Sequence, residues 1–260
     1  MTVATRLRPF GATIFAEMTA LANRHDAINL SQGFPDFDGP AFVRDAAERA
    51  MRDGHNQYAR MSGEPVLNQA VARWFQRSSG VSVEPDTEIT VTNGCTEALA
   101  AIAMGLMEPG DPVVLFQPYY DSYRACVAMG GGEPRFVSLR PDSEGRFTFD
   151  ADVLALAMRG ARMLLLNTPH NPTGAVFSRA ELERIASLAI EHDVIVVADE
   201  VYERLVFDDA EHISIASLPG MRERTITCSS LGKTFSLTGW KIGWAIAPPG
   251  LTAAIRSAHQ

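Results

Sequence analysis

Short, apolar, largely β-branched runs recur along this chain, each closed by a polar residue or a turn, and that pattern leaves few folds open. Ile89-Thr90-Val91 leads through Asn93-Gly94 into a helix-like stretch from Thr96 to Met107. Pro112 to Phe116 follows a Pro-Gly-Asp turn, and Met163 to Leu166 runs into the segment TPHNPTG. Val194 to Ala198 ends on Asp199, and Thr225-Ile226-Thr227 ends on Cys228-Ser229-Ser230. Ser178 to His192 alternates at helical spacing, with Ser178 and Glu181 placed as a capping box. Runs this apolar, alternating with amphipathic helices, predict an α/β fold with a mostly parallel central sheet sandwiched by helices. In such sheets ligands gather beyond the carboxyl ends of the strands, and most of the polar residues discussed below fall there.

Composition narrows the function classes. With 260 residues, 46% hydrophobic and 21% charged, the chain can bury a sizeable core. A net charge of -8 without a cluster of Lys and Arg argues against nucleic acid as a partner, since phosphate neutralisation needs gathered positive charge. No apolar run approaches a bilayer span, and the N-terminal MTVATRLRPFGATIF lacks the apolar region of a secretory signal. Cys95, Cys126 and Cys228 lack C-x-x-C spacing, which predicts neither disulfides nor a metal site and fits a reducing cytoplasm. No internal repeat, low-complexity segment or Gly/Ser linker divides the chain.

Lys233 lies in SSLGKTFSLTGWK. Gly232-Lys233-Thr234 matches the end of a P-loop, but the motif needs a glycine where Thr227 stands. A lysine among small, apolar and hydroxylic residues suits a Schiff base, because partial burial favours the nucleophilic amine; the alternative is a solvated surface lysine. Asp199, at the end of a buried run, needs a cationic partner to stay ionised, as the pyridinium of pyridoxal phosphate would be; otherwise it caps a helix or orients a loop. Asn171, between Pro169 and Pro172, and Tyr202 can both donate to one phenolate oxygen, or serve as a turn residue and a core tyrosine. Gly94-Cys95-Thr96 opens a helix whose free amides can cradle phosphate, though many helices start so. Ser230 and Lys241 would complete such a cup, and the Tyr119-Tyr120 pair offers an aromatic face for stacking.

Taken in order, HNPTG, DEVY and S-x-x-K-T-F-x-x-T-G-W-K resemble the class I/II aminotransferases of the fold type I pyridoxal-phosphate enzymes, and the likeness runs from NLSQGFPDF to the end of the chain. The resemblance implies that Lys233 carries pyridoxal 5'-phosphate as a Schiff base, that Asp199 pairs with the ring nitrogen, and that Asn171 and Tyr202 bond the ring hydroxyl. It implies that the Gly94, Cys95 and Thr96 amides, Ser230 and Lys241 hold the phosphate and that Tyr120 stacks on the ring. Tyr58 is similar to a tyrosine that reaches the phosphate of a neighbouring subunit, which implies a homodimer. Gly33 is similar to a glycine whose backbone contacts the substrate carboxylate, and Phe15 to an aromatic residue of the substrate pocket. The implied activity moves an amino group from an L-amino acid to a 2-oxo acid, with Lys233, Asp199 and Tyr202 as the catalytic set.

Lys241 stands where most of the family has arginine. With QGFPDF, it makes the chain look more like the kynurenine/glutamine transaminase group and its methionine and N-succinyldiaminopimelate aminotransferase relatives. Family chains continue well beyond Gln260, so this one is expected to lack most of the small domain and the arginine that clamps the substrate carboxylate; Arg256 does not match that motif. The expected division is an N-terminal arm over 1–33, a cofactor-binding large domain over 34–248, and the start of an inter-domain helix over 249–260. Rival readings are a carbon–sulfur β-lyase on the same scaffold, a cofactor-binding fragment that does not turn over, and an effector-sensing regulator, for which no DNA-binding module precedes Gln32. A NAD-binding Rossmann protein is the least favoured reading, since no G-x-G-x-x-G occurs and Gly130-Gly131-Gly132 is a glycine-rich turn.

Overall fold

The computed structural model describes residues 3–31, 33, 35 and 37–260; Met1, Thr2, Gln32, Phe34 and Asp36 lie outside them, so the QGFPDF run is described only at Gly33, Pro35 and Phe37. In chain order come α1 (Ile14–His25), α2 (Ala41–Arg52), α3 (Pro65–Ser79), α4 (Pro85–Glu88), β1 (Ile89–Thr92), α5 (Gly94–Leu106), β2 (Pro112–Gln117), α6 (Ser122–Met129) and β3 (Glu133–Ser138). A two-stranded hairpin follows, β4 (Arg140–Pro141) with β5 (Phe147–Thr148), then α7 (Ala151–Met158), β6 (Met163–Asn167), α8 (Arg179–Glu191), β7 (Ile195–Asp199), β8 (Thr225–Ser230), α9 (Leu231–Thr234), β9 (Gly243–Ile246) and α10 (Pro249–His259).

Each apolar run became a strand of one seven-stranded sheet in the order β1-β9-β8-β7-β6-β2-β3. The pairings β2–β3, β2–β6, β6–β7 and β7–β8 are parallel, while β9 runs antiparallel to both β8 and β1. Six strands therefore deliver their carboxyl ends to one edge, and β9 brings its first residue, Gly243, to the same edge opposite Thr92 and Ser230. The chain leaves β2 toward β3 on one side and β6 toward β7 on the other, so the crevice between β2 and β6 is the place where such sheets bind ligands.

The pleat sorts the core into two layers. Val114, Phe116, Leu164, Leu166, Val196 and Ala198 face α7 and α8, packing on Leu154, Leu182 and Ile185. Val113, Leu115, Met163, Leu165, Val197, Ile226 and Cys228 face the other way, against α5, α6 and α10. Burial on both faces is why these strands read as unbroken apolar runs instead of alternating ones. The Ser178–Glu181 capping box forms as expected, satisfying two orphan donors at the start of α8.

One difference from the sequence reading bears on the site, and the expected helix from residue 249 does form. Helix α5 starts at Gly94, two residues before the expected Thr96, so the Gly94, Cys95 and Thr96 amides are its first turn. The chain end forms α10, which lies so close on α5 that a Cβ at Gly105 would stand 2.4 Å from the Ala254 carbonyl oxygen. Arg256 of α10 donates to the Asp86 and Ile89 carbonyls and to the Thr90 hydroxyl, a staple for the strand entry and not a free clamp.

Candidate active site

Register alone assembles much of the site. Asn167 at the end of β6 stands beside Asp199 at the end of β7, which stands beside Cys228 in β8. Asp199 is buried, with its side chain on the α5/α6 side of the sheet. Its Oδ2 accepts from the Tyr123 hydroxyl at 2.7 Å and its Oδ1 from the Val201 amide at 3.3 Å. Burial raises its pKa, while Tyr123, the Val201 amide and the Cys95 thiol pull it back down. These hydrogen-bond partners are a phenol, an amide and a thiol, none of them cationic, so the carboxylate is oriented but in ion-pair contact with no cation among the described residues. Asn167 donates to the Asp199 carbonyl at 2.9 Å and accepts from the Asn171 amide at 2.7 Å, tying the TPHNPTG loop to the end of β7.

That tie brings Asn171 to Tyr202, whose hydroxyl lies 3.4 Å from the Asn171 Nδ2. Burial lifts the Tyr202 phenol to about 12, the Asp199 charge adding to it, so it stays a hydrogen-bond donor throughout the neutral range. Lys233 Nζ sits over the Tyr202 ring, 5.5 Å from its centre, and reaches the Gly33 carbonyl at 3.4 Å. Its pKa is lowered by burial and by the Lys241 charge, against the opposing pull of Asp199. A half-buried lysine facing a second cation holds a larger neutral fraction than a solvated one, which is the form that attacks carbonyl carbon. This geometry disfavours the surface-lysine alternative.

The anion cup lies alongside. Asn93, which precedes α5, makes no side-chain cap, so no capping side chain takes up the first-turn amides. Gly94 has φ +77, and a Cβ there would meet the Lys241 Nζ at 3.3 Å. Lys241 is itself left-handed, φ 54, a conformation that returns its ammonium toward the helix end. Gly243 lets β9 touch that turn: a Cβ on it would lie 2.5 Å from both Cys95 N and Gly94 C. Ser230, buried at the end of β8, precedes α9 and Lys233. Tyr120 packs edge-on against Tyr123 at 5.6 Å and tilted against Phe15 at 6.3 Å, so α1 closes this side of the site.

Tyr58 is fully exposed between α2 and α3, and the structure does not bring it to the other site residues of its own chain. Sequence reasoning missed Tyr123, although it falls three residues after Tyr120, on the same side of the chain as α6 begins. It also missed Asn167, the polar residue that closes β6, and Gly243, whose place inside a strand signals close backbone approach. His170 of HNPTG is a structural residue: burial depresses it to about 4 and its Nδ1 meets the Thr173 hydroxyl at 2.8 Å. Cys95 is held well above the usual thiol range by a hydrogen bond with the free Cys228 thiol, by burial and by Asp199, so it stays a thiol and is no nucleophile.

The set fits one kind of group: an anion at the helix end, a cationic ring nitrogen at Asp199, an oxygen at Asn171 and Tyr202, and a carbonyl carbon within reach of Lys233. Each demand is met by a feature otherwise hard to explain, namely a buried carboxylate in contact with no cation among the described residues, an uncapped helix start and a glycine forced by close approach.

Comparison with known proteins agrees. A family model described as aminotransferase class I and II matches residues 25–260. The probable N-succinyldiaminopimelate aminotransferase DapC of Mycobacterium tuberculosis (strain CDC 1551 / Oshkosh) is 51% identical over 100% of this chain and 65% of its own length. The methionine aminotransferase of Escherichia coli (strain K12) is 42% identical over 98% of this chain and 66% of its own. The solved structure of N-succinyldiaminopimelate aminotransferase from Mycobacterium tuberculosis superposes with a TM-score of 0.97 at 50% identity, covering 100% of this chain and 67% of that one. The chain thus spans about 65% of the first of these relatives.

Proposed function

The chain belongs to the aminotransferase class I and II family, and we propose on that footing that it moves an amino group from an L-amino acid to a 2-oxo acid, using pyridoxal 5'-phosphate held on Lys233. The observation that carries this is the meeting of Asp199, the Asn171–Tyr202 pair and a half-buried Lys233 at one sheet edge beside an uncapped helix start. When bound, pyridoxal 5'-phosphate supplies an electrophilic carbon and a cationic ring that accepts electrons.

The protein's own groups do the rest. Asp199, steadied by Tyr123 and Val201, holds a proton on the ring nitrogen. Asn171 and Tyr202 donate to the ring oxygen, and Tyr120 covers the ring. The α5 amides from Gly94 to Thr96, Ser230 and Lys241 hold the phosphate. Lys233 Nζ, once released, takes the proton from the substrate α-carbon and delivers it, a task suited to an amine whose pKa burial has lowered. Gly33 and Phe15 border the substrate, and Tyr58 serves the phosphate of a partner copy in a homodimer. The arm at 1–33, the large domain at 34–248 and the helix from 249 keep the roles assigned to them above. Among the described residues no helix is long and apolar enough to cross a membrane, and three buried free cysteines suit a reducing cytoplasm.

The assay follows amino transfer to a series of 2-oxo acids, with pyruvate release from a cysteine conjugate run in parallel. Transfer without pyruvate is the expected result; pyruvate without transfer would establish a β-lyase instead. Gly243→Ala gives a second check. Its Cβ would collide with the first turn of α5, and loss of one charge-assisted bond costs about 1.5–3 kcal/mol. Fluorescence titration with pyridoxal phosphate is expected to show binding weakened by about tenfold or more. Unchanged affinity would mean that α5 does not hold the phosphate.

A further inference from the structure

On the far side of the sheet from Tyr123, three titratable side chains are packed together behind the turn that carries Asp199 and Tyr202. Glu200 and Glu203 are buried, His212 is 10% exposed, and one ligating atom of each lies within 4.8 Å of the others. Glu200 accepts from the Ser214 hydroxyl at 2.9 Å and meets His212 Nε2 at 3.2 Å. Glu203 has one hydroxyl partner, Ser229, at 2.7 Å. Their backbones are the turn itself: the Glu200 amide donates to the Cys228 carbonyl and the Glu203 amide to the Glu200 carbonyl.

Two carboxylates and one imidazole cannot all be charged in this bed. His212 as a cation balances one carboxylate, and a second ionised carboxylate would be a buried charge without a partner. Glu200, with two partners, is the better held as an anion, and Glu203 is the poorer. We propose that Glu203 holds a proton, leaving a Glu200–His212 ion pair beside a neutral carboxylic acid, and that this neutral bed positions the Asp199–Tyr202 turn.

Burial pushes the Glu203 carboxyl up to about 7, with the Ser229 hydroxyl, His212 and Arg204 opposing and Glu200 reinforcing. Burial works against a charged His212, but the hydrogen bond and charge of Glu200 outweigh it and raise the imidazole; Glu203 would add to the rise only if ionised, and Arg204 opposes it. Arg204, whose guanidinium covers the Trp74 ring at 5.5 Å, is a further charge acting on both groups. The charge on Glu200 also reaches Asp199 and raises it, so a second anion at Glu203 would work in the same direction. The residues are positioning residues, and the inference rests on the aminotransferase reading only for what the turn does.

The sign of the pH effect is fixed by the raised folded value. Stability from the protonated acid is fully present below the ordinary value of 4.5 and is lost as pH rises through about 7. Glu203→Gln, which mimics the neutral acid, escapes that loss. Thermal unfolding of wild type, Glu203→Gln and Glu203→Ala is measured from pH 5 to 8.5. The glutamine variant is expected to match wild type at pH 5 and to exceed it by about 4 °C or more at pH 8.5, with the alanine variant below both at pH 5. Pyridoxal phosphate affinity, measured on the same proteins, is expected to fall from pH 6 to 8 more steeply in wild type than in the glutamine variant. Parallel unfolding curves for wild type and Glu203→Gln, or a glutamine variant as unstable as alanine at pH 5, would overturn the proposal. Failure of either protein to bind pyridoxal phosphate would count against the aminotransferase reading, and the unfolding curves would still decide the protonation of Glu203.

Discussion

Asp199→Asn is expected to slow exchange of the substrate α-proton by roughly a hundred- to several-thousand-fold while leaving the fold in place. An amide keeps the shape that Tyr123 and the Val201 amide hold, but it cannot keep a proton on a ring nitrogen. Removing one partner of a buried ion pair costs about 3–5 kcal/mol, and each ~1.4 kcal/mol added to a barrier is a factor of ten in rate. Fold is retained because the variant removes a buried charge and creates no cavity. The check is deuterium exchange at the α-carbon followed by NMR, with thermal unfolding as the control. Exchange within a few-fold of wild type would make Asp199 a strand-end structural residue.

Lys233→Ala carries the second large effect. It removes both the amine that bonds the cofactor and the base that carries the α-proton, so multiple turnover is expected to disappear. Pyridoxal phosphate should still bind, because the α5 amides, Lys241, Asn171, Tyr202 and Asp199 remain. A general acid–base group contributes about 10²–10⁴-fold, and an added small amine that enters the vacated space should restore part of the half-reaction. Equal turnover in the variant would remove Lys233 from the chemistry altogether.

Much of this site was legible because its residues close apolar runs. Asp199 and Asn171 stand where β7 and β6 hand over to loops, and a polar residue at such a place is exposed to view by the contrast with what precedes it. Lys233 was legible by the same contrast after β8. What stayed hidden depends on contacts across the fold. Tyr123 meets Asp199 across 76 positions of sequence, and no local pattern in α6 announces it. The Glu200–Glu203–His212 cluster is likewise assembled by the turn after β7 and the loop leading to Ile215.

Strand detection failed for equally physical reasons. β3 lies at a sheet edge with a single neighbour, so Glu133 and Phe136 face outward and the run EPRFVS loses its apolar signature. β9 is four residues long and begins with a glycine, which backbone approach to Cys95 requires and strand propensity disfavours. The expected helix from Thr96 began earlier because Gly94, at φ +77, enters the helix by a turn that side chains resist.

The account stands or falls on which amine bonds the cofactor, and Lys233 and Lys241 are the two lysines of this sequence. Borohydride reduction of the protein loaded with pyridoxal phosphate, followed by peptide mass mapping, reads that bond directly. The modification is predicted on the peptide containing Lys233, lost in Lys233→Ala and retained in Lys241→Ala. A modification on Lys241, or none on Lys233, would contradict it.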